Sequence, residues 1–180
     1  MRTLTAILCL LAAIVAVPAA AAPQGPVLIT VAGAVSNTNR GPFDPFEDAL
    51  AKAHDVAFEW AFAFDRTMLE TLGTKTLSVQ YPGWPKRYRF EGSLLRDVLA
   101  AAGATGTTAK VFALDGYAAE IAPQDMRDYP VMLALKKDGQ PLAIGGRGPA
   151  WVVFPRDDYP ALAKRDDAQW VWSAYLILVE

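Results

Sequence analysis

"FEGSLLRDVLAAAG", residues 90–103, holds the clearest helix in the chain, and the rest can be read outward from it. Leu94, Leu95, Val98 and Leu99 recur at helical spacing through Ala102, Ser93 is placed to cap the segment and Gly103 to stop it. Upstream, Thr76 to Tyr81 alternates as a strand and runs into Pro82-Gly83-Trp84-Pro85, a rigid turn. Before that, Asp65 reads as the N-cap of a two-turn helix, Arg66 to Leu72, ended by Gly73. Val56 to Phe64 is aromatic and favours a strand, whereas Phe46 to His54 fits either a short helix or an excursion. Pro26 to Val35 is a β-branched run that reads as the opening strand, followed by the loop Ser36 to Pro42. Downstream, Lys110 to Leu114 and Tyr117 to Ile121 form a hairpin-like unit about Asp115-Gly116. Strands are then expected over Asp128 to Leu135, Val152 to Phe154 and Trp170 to Val179, with a turn at Lys137 to Gln140. Many strands with two or three short helices make an α+β fold.

The 180 residues divide into a leader and one domain. Met1-Arg2, the apolar run Leu4 to Val17, and then Pro18 and four alanines have the form of a secretory signal peptide over residues 1–22, with cleavage expected within Ala20 to Ala22. The domain occupies residues 27–180, with no internal repeat, linker or shift of composition. The one cysteine, Cys9, lies in the leader, so the exported chain would have no disulfide, no thiolate nucleophile and no thiolate metal ligand. Without Arg2 the 17 basic residues become 16 against 19 acidic ones. The basic residues are scattered, which argues against a nucleic-acid partner. No second apolar run is long enough to span a membrane, so a soluble periplasmic protein is expected.

Groups that carry chemistry are sparse. His54, the only histidine, stands beside Asp55 and reads as an ordinary, partly exposed side chain. No Gly-x-Ser-x-Gly elbow is present. The acid pairs Asp157-Asp158 and Asp166-Asp167 read as solvated loop faces. Arg147 stands among Gly145, Gly146 and Gly148, a loop able to offer backbone N–H groups and a guanidinium to an anion, or simply a turn before a buried strand. Tyr81, Trp84, Tyr88, Tyr117 and Trp151 either line a pocket or belong to core and rim.

Four stretches in order, Phe90 to Leu99, Leu114-Asp115-Gly116-Tyr117, Asp138 to Leu142, and Gly148-Pro149-Ala150-Trp151 to Pro155, resemble the oxidoreductase molybdopterin-binding domain family. The resemblance spans about Val27 to Val179 and implies the sulfite-oxidase-like fold, a mixed, β-rich domain with a few short helices. It implies molybdopterin as cofactor, with molybdenum held in catalytic members by pterin sulfurs and one cysteine thiolate. By this resemblance the cofactor-binding positions are Tyr81, Trp84, Asp115, Gly116, Tyr117, Arg147, Gly148, Pro149 and Trp151. This chain departs from the pattern at three places. It has no matching cysteine, Trp151 stands where many members carry arginine, and Gln169 stands before Trp170 where cofactor-binding members tend to carry lysine.

Three roles follow as expectations. The first is an exported ligand-binding or accessory module without independent redox catalysis, taking a small-molecule ligand or a periplasmic or membrane protein partner. The second is a molybdenum-molybdopterin-dependent oxidoreductase with a non-cysteine ligand or a partner subunit, which requires two cations facing into the cleft. The third is a periplasmic sensing partner of a membrane receptor or kinase, whose structural sign would be an exposed apolar patch.

Overall fold

The computed structural model describes residues 21–180; the signal-peptide reading and Cys9 fall almost wholly outside them. The described residues form an α+β fold dominated by one ten-stranded sheet with five short helices. The first strand, β1 (Val27–Gly33), buries Ile29 to Ala32 and pairs in parallel with the last, β10 (Trp172–Val179). On its other edge lies β2 (Ala61–Asp65), antiparallel. Strand β10 is the spine. Its C-terminal part is flanked by β1 and by the hairpin β5 (Ala109–Ala113) and β6 (Ala118–Ile121), whereas its first residues pair with β9 (Ala150–Val153). The sheet continues from β9 through β7 (Met132–Lys137) and β4 (Tyr88–Leu94) to β3 (Lys75–Val79), with the two-residue β8 (Gln140–Pro141) on β7. No helix of the described residues is long and apolar enough to cross a membrane.

Helices fall where the local chemistry allows them. Asp65 caps α2 (Arg66–Thr71) by accepting from Met68 N at 2.9 Å, as its sequence position implies, and Gly73 ends the segment at φ +99°. Ser93 is not a cap. It lies inside β4, where its buried Oγ donates to Leu69 O at 2.5 Å and ties the strand to α2. Helix α3 (Leu95–Ala101) starts from Leu94 without a side-chain cap, because the carbonyl of Val131 accepts from Leu95 N at 2.9 Å. Helix α1 (Ala49–Ala53) resolves the ambiguous stretch before His54. The expected strand Val56 to Phe64 is only β2; Val56 and Phe58 precede it and pack with Ala51, Phe112 and Leu176 in a small second core. The strand expected from Asp128 begins at Met132, because Pro123 opens α4 (Pro123–Asp128), proline being suited to the first helical position. Helix α5 (Pro160–Ala163) starts the same way. Five helices rather than two or three result.

Candidate functional site

A cavity of about 300 Å³ opens where the first residues of β10, the β5–β6 hairpin and the loop before β9 meet. Its floor is aromatic. Trp151 on β9 is 3 % exposed and donates Nε1–H to Trp170 O at 3.1 Å. Trp84, carried by the turn after β3, stands with its ring centroid 5.5 Å from Trp151 and 5.7 Å from Trp170. Phe90 meets Trp151 edge-on at 5.2 Å from behind. Offset and edge-to-face pairs at these separations fix ring orientation as well as burying area. Trp172, 41 % exposed, and Tyr117 stand at the rim.

The rim is pinned by few bonds. Ser173 interrupts the register between β10 and β9 with φ +53°, and its N–H donates to Arg147 O at 3.0 Å while its Oγ donates to Gly146 O at 3.2 Å. The carbonyl of the same serine accepts from Leu114 N at 3.0 Å, so one residue couples the glycine loop to the hairpin. On the other side, Tyr117 Oη donates to Ala168 O at 2.6 Å and Gln169 Nε2 to Glu120 O at 2.8 Å. These bonds hold the 166–169 strap against the hairpin and place Asp167 on the cavity wall.

Charge in the cavity is mixed and net acidic. Asp115 and Asp167 line it against one cation, Arg147. Arg147 is not free: its guanidinium lies 4.5 Å from the Trp151 ring centroid and 5.6 Å from that of Trp172. Asp115 already accepts from Tyr117 N at 3.0 Å through one oxygen. Burial pushes the Tyr81 hydroxyl above its ordinary pKa, and the negative charge of Asp167 adds to that shift. A smaller adjoining groove of about 110 Å³ shares Trp84, Arg147 and Trp151 with the main cavity and adds Lys137, whose ammonium lies 4.5 Å from the Tyr88 ring centroid.

Of the nine positions singled out in the sequence, Trp84, Asp115, Tyr117, Arg147 and Trp151 converge on this cavity. Tyr81 stands one ring away, 5.5 Å from Trp170, and borders a shallow surface groove with Arg87 and Asp157. Gly116 turns toward His54 rather than the cavity, and Gly148 and Pro149, joined by a cis peptide bond, are buried and do not line it. Sequence reasoning missed Trp170, Trp172, Asp167 and Ser173. The i, i+2 spacing of the two tryptophans at a strand start was the available signal. The acid pairs, read as solvated, differ: Asp167 lines the cavity, and Asp157 pairs with Arg87 and accepts from Gln80 N. His54 is half-buried with Nδ1 2.9 Å from Tyr175 Oη, and burial raises that tyrosine to about 12.

A molybdenum pterin cofactor does not fit this donor set. The described residues contain no cysteine and no group of three histidine, cysteine or acidic side chains that could hold a metal ion. A cofactor phosphate would meet two carboxylates and a single guanidinium already stacked on indole, a costly burial of unpaired negative charge.

No family model and no curated protein matches the chain. Among solved structures, the crystal structure of the sulfane dehydrogenase SoxCD from Paracoccus pantotrophus is similar at 19 % identity and a TM-score of 0.49. The match covers 89 % of this chain and 40 % of that one, so the chain spans well under half the length of that structure.

Proposed function

We propose that the chain is an exported ligand-binding or accessory module on the sulfite-oxidase-like molybdopterin-binding fold, without redox catalysis of its own. The observation that carries the proposal is the tryptophan-lined cavity with two carboxylates, one arginine over its rings and, among the described residues, no thiolate. The four ordered sequence motifs support the fold assignment. A cavity of about 300 Å³ lies at the lower end of small-molecule sites, and aromatic side chains with a few placed charged groups are residue types such sites use, here with polar and apolar wall in about equal parts. The oxidoreductase alternative asks for two cations facing inward, and among the described residues Arg147 is the one cation lining this cavity. The decisive experiment is metal and pterin analysis of natively exported protein, with cell fractionation to locate it. Protein from the periplasmic fraction free of stoichiometric molybdenum and pterin is expected; both near one per chain would overturn the proposal.

One observation favours the sensing reading. Phe46 and Trp60 are 83 % and 54 % exposed, with Leu50 between them in sequence also exposed. Under that reading the chain copurifies with washed membranes, and Phe46→Ser with Trp60→Ser releases it.

A further inference from the structure

Part of the polar complement of the cavity wall is engaged with neighbouring backbone. Tyr117 Oη donates to Ala168 O, Trp151 Nε1 to Trp170 O, and one oxygen of Asp115 accepts from Tyr117 N. The wall also presents the faces of the indole rings and the charge of Asp115 and Asp167. Indole faces carry negative quadrupole density, and together with carboxylates they attract a cation whose own hydration is weak. The protein already displays this preference. Arg147 places its guanidinium 4.5 Å from Trp151 and 5.6 Å from Trp172, so the cation seat is held by a side chain from the adjacent loop. That side chain is exposed and has no carboxylate within salt-bridge distance among the described residues, leaving little to keep it there except the rings.

We infer that the cavity is an aromatic cage for a quaternary ammonium group, and that Arg147 is its internal competitor. This rests on the cavity being a ligand site, as proposed above. The incoming cation displaces the guanidinium toward solvent and takes its place over Trp151 and Trp172, with Asp115 and Asp167 balancing its charge. Arg147 thus lowers affinity for cations. An anion-binding site would need the opposite, with Arg147 as its anchor and Lys137 of the adjoining groove beside it.

The test is a set of titrations followed by tryptophan fluorescence and calorimetry at fixed ionic strength, using the full exported chain. The probes are tetramethylammonium, choline, its neutral carbon isostere 3,3-dimethylbutan-1-ol, and inorganic phosphate. Both cations are expected to saturate. The isostere should bind at least about threefold to tenfold more weakly, the size of a partly desolvated cation–π contribution. Arg147→Ala should tighten choline by a similar factor, and Asp115→Asn with Asp167→Asn should weaken it. Equal binding of the isostere, or weaker choline binding by Arg147→Ala, overturns the cage while leaving a ligand-binding module. Phosphate saturating where choline does not has the same meaning. Absence of saturation by either cation at millimolar concentration, in wild type and Arg147→Ala alike, also overturns it. Only stoichiometric molybdenum and pterin would remove the underlying module reading as well.

Discussion

Removing the floor of the cavity should cost far more than removing its rim, and Trp151→Ala against Trp172→Ala measures the difference. Trp151 is 3 % exposed, packs edge-on to Phe90 at 5.2 Å and beside Trp84 at 5.5 Å, and makes a buried hydrogen bond to Trp170 O. Its truncation deepens the cavity behind its floor, and the rings of Trp84, Trp170 and Phe90 cannot move into the space without breaking their other contacts. Tryptophan-to-alanine changes of this kind cost about 3–5 kcal/mol. For a chain of this size each kcal/mol moves Tm by roughly 2–4 °C, giving a fall of roughly 6–20 °C. Trp172 is 41 % exposed, makes no side-chain hydrogen bond and leaves an open notch rather than a void, so its truncation should cost under about 2 kcal/mol. Thermal and urea unfolding followed by far-UV circular dichroism read both. Equal losses for the two variants would refute the division into buried floor and open rim.

Gly92→Ala should be strongly destabilising, because a Cβ there would overlap Leu133 O and stand 2.7 Å from Ala134 Cα; both are backbone atoms of β7, and opening that pairing costs about 2–3 kcal/mol or more by urea unfolding. Ser93→Ala should cost only about 1 kcal/mol, because Leu69 O keeps its second donor, Leu72 N; a loss above about 3 kcal/mol would contradict that partner assignment. Backbone N–H groups of Met68, Gly25 and Gln24 hold the Asp65 carboxyl below its ordinary pKa. Its stabilising contribution is then complete above the unfolded-state pKa of about 3.9 and is lost as pH falls through the lower folded value. Asp65→Ala should therefore unfold more easily than wild type at neutral pH and converge with it in acid; a gap in urea midpoint that does not narrow as pH falls below the unfolded-state pKa would contradict the carboxylate's role.

The elements most legible in the sequence were those whose signals are local. Asp65 caps α2 because its side chain needs only the N–H groups of the next turn, and Gly73 stops it because only the backbone of that residue is involved. Ser93 misled for the converse reason: Leu69, which accepts from its hydroxyl, lies 24 residues away, and the end it seemed to cap is satisfied by Val131, the residue just before β7. Pro123 and Pro160 are helix starts that carry little apolar periodicity, each helix being six residues or fewer. The aromatic run before β2 shows that bulky residues favour burial as much as strand pairing; Phe58 satisfies the first without the second.

The cavity divides along the same line. Trp84 and Arg147 were visible because turn-forming glycines and prolines mark the loops that carry them, and Trp151 because it enters β9 directly after one of those loops, whereas Asp167 read as a solvated acid. Its place on the wall depends on a strap fixed from a distance by Tyr117 and Gln169, side-chain bonds spanning 51 and 49 residues. Ser173 was invisible for a stronger reason: its contribution lies in a left-handed backbone at the point where β10 passes from one set of partners to the other. Strand pairing at that switch leaves its N–H for Arg147 O and its carbonyl for Leu114 N. The glycine loop therefore takes its position from the sheet's own change of partners. This is why a turn that fitted in sequence either an anion loop or a plain turn before a buried strand lays its arginine over two indole rings.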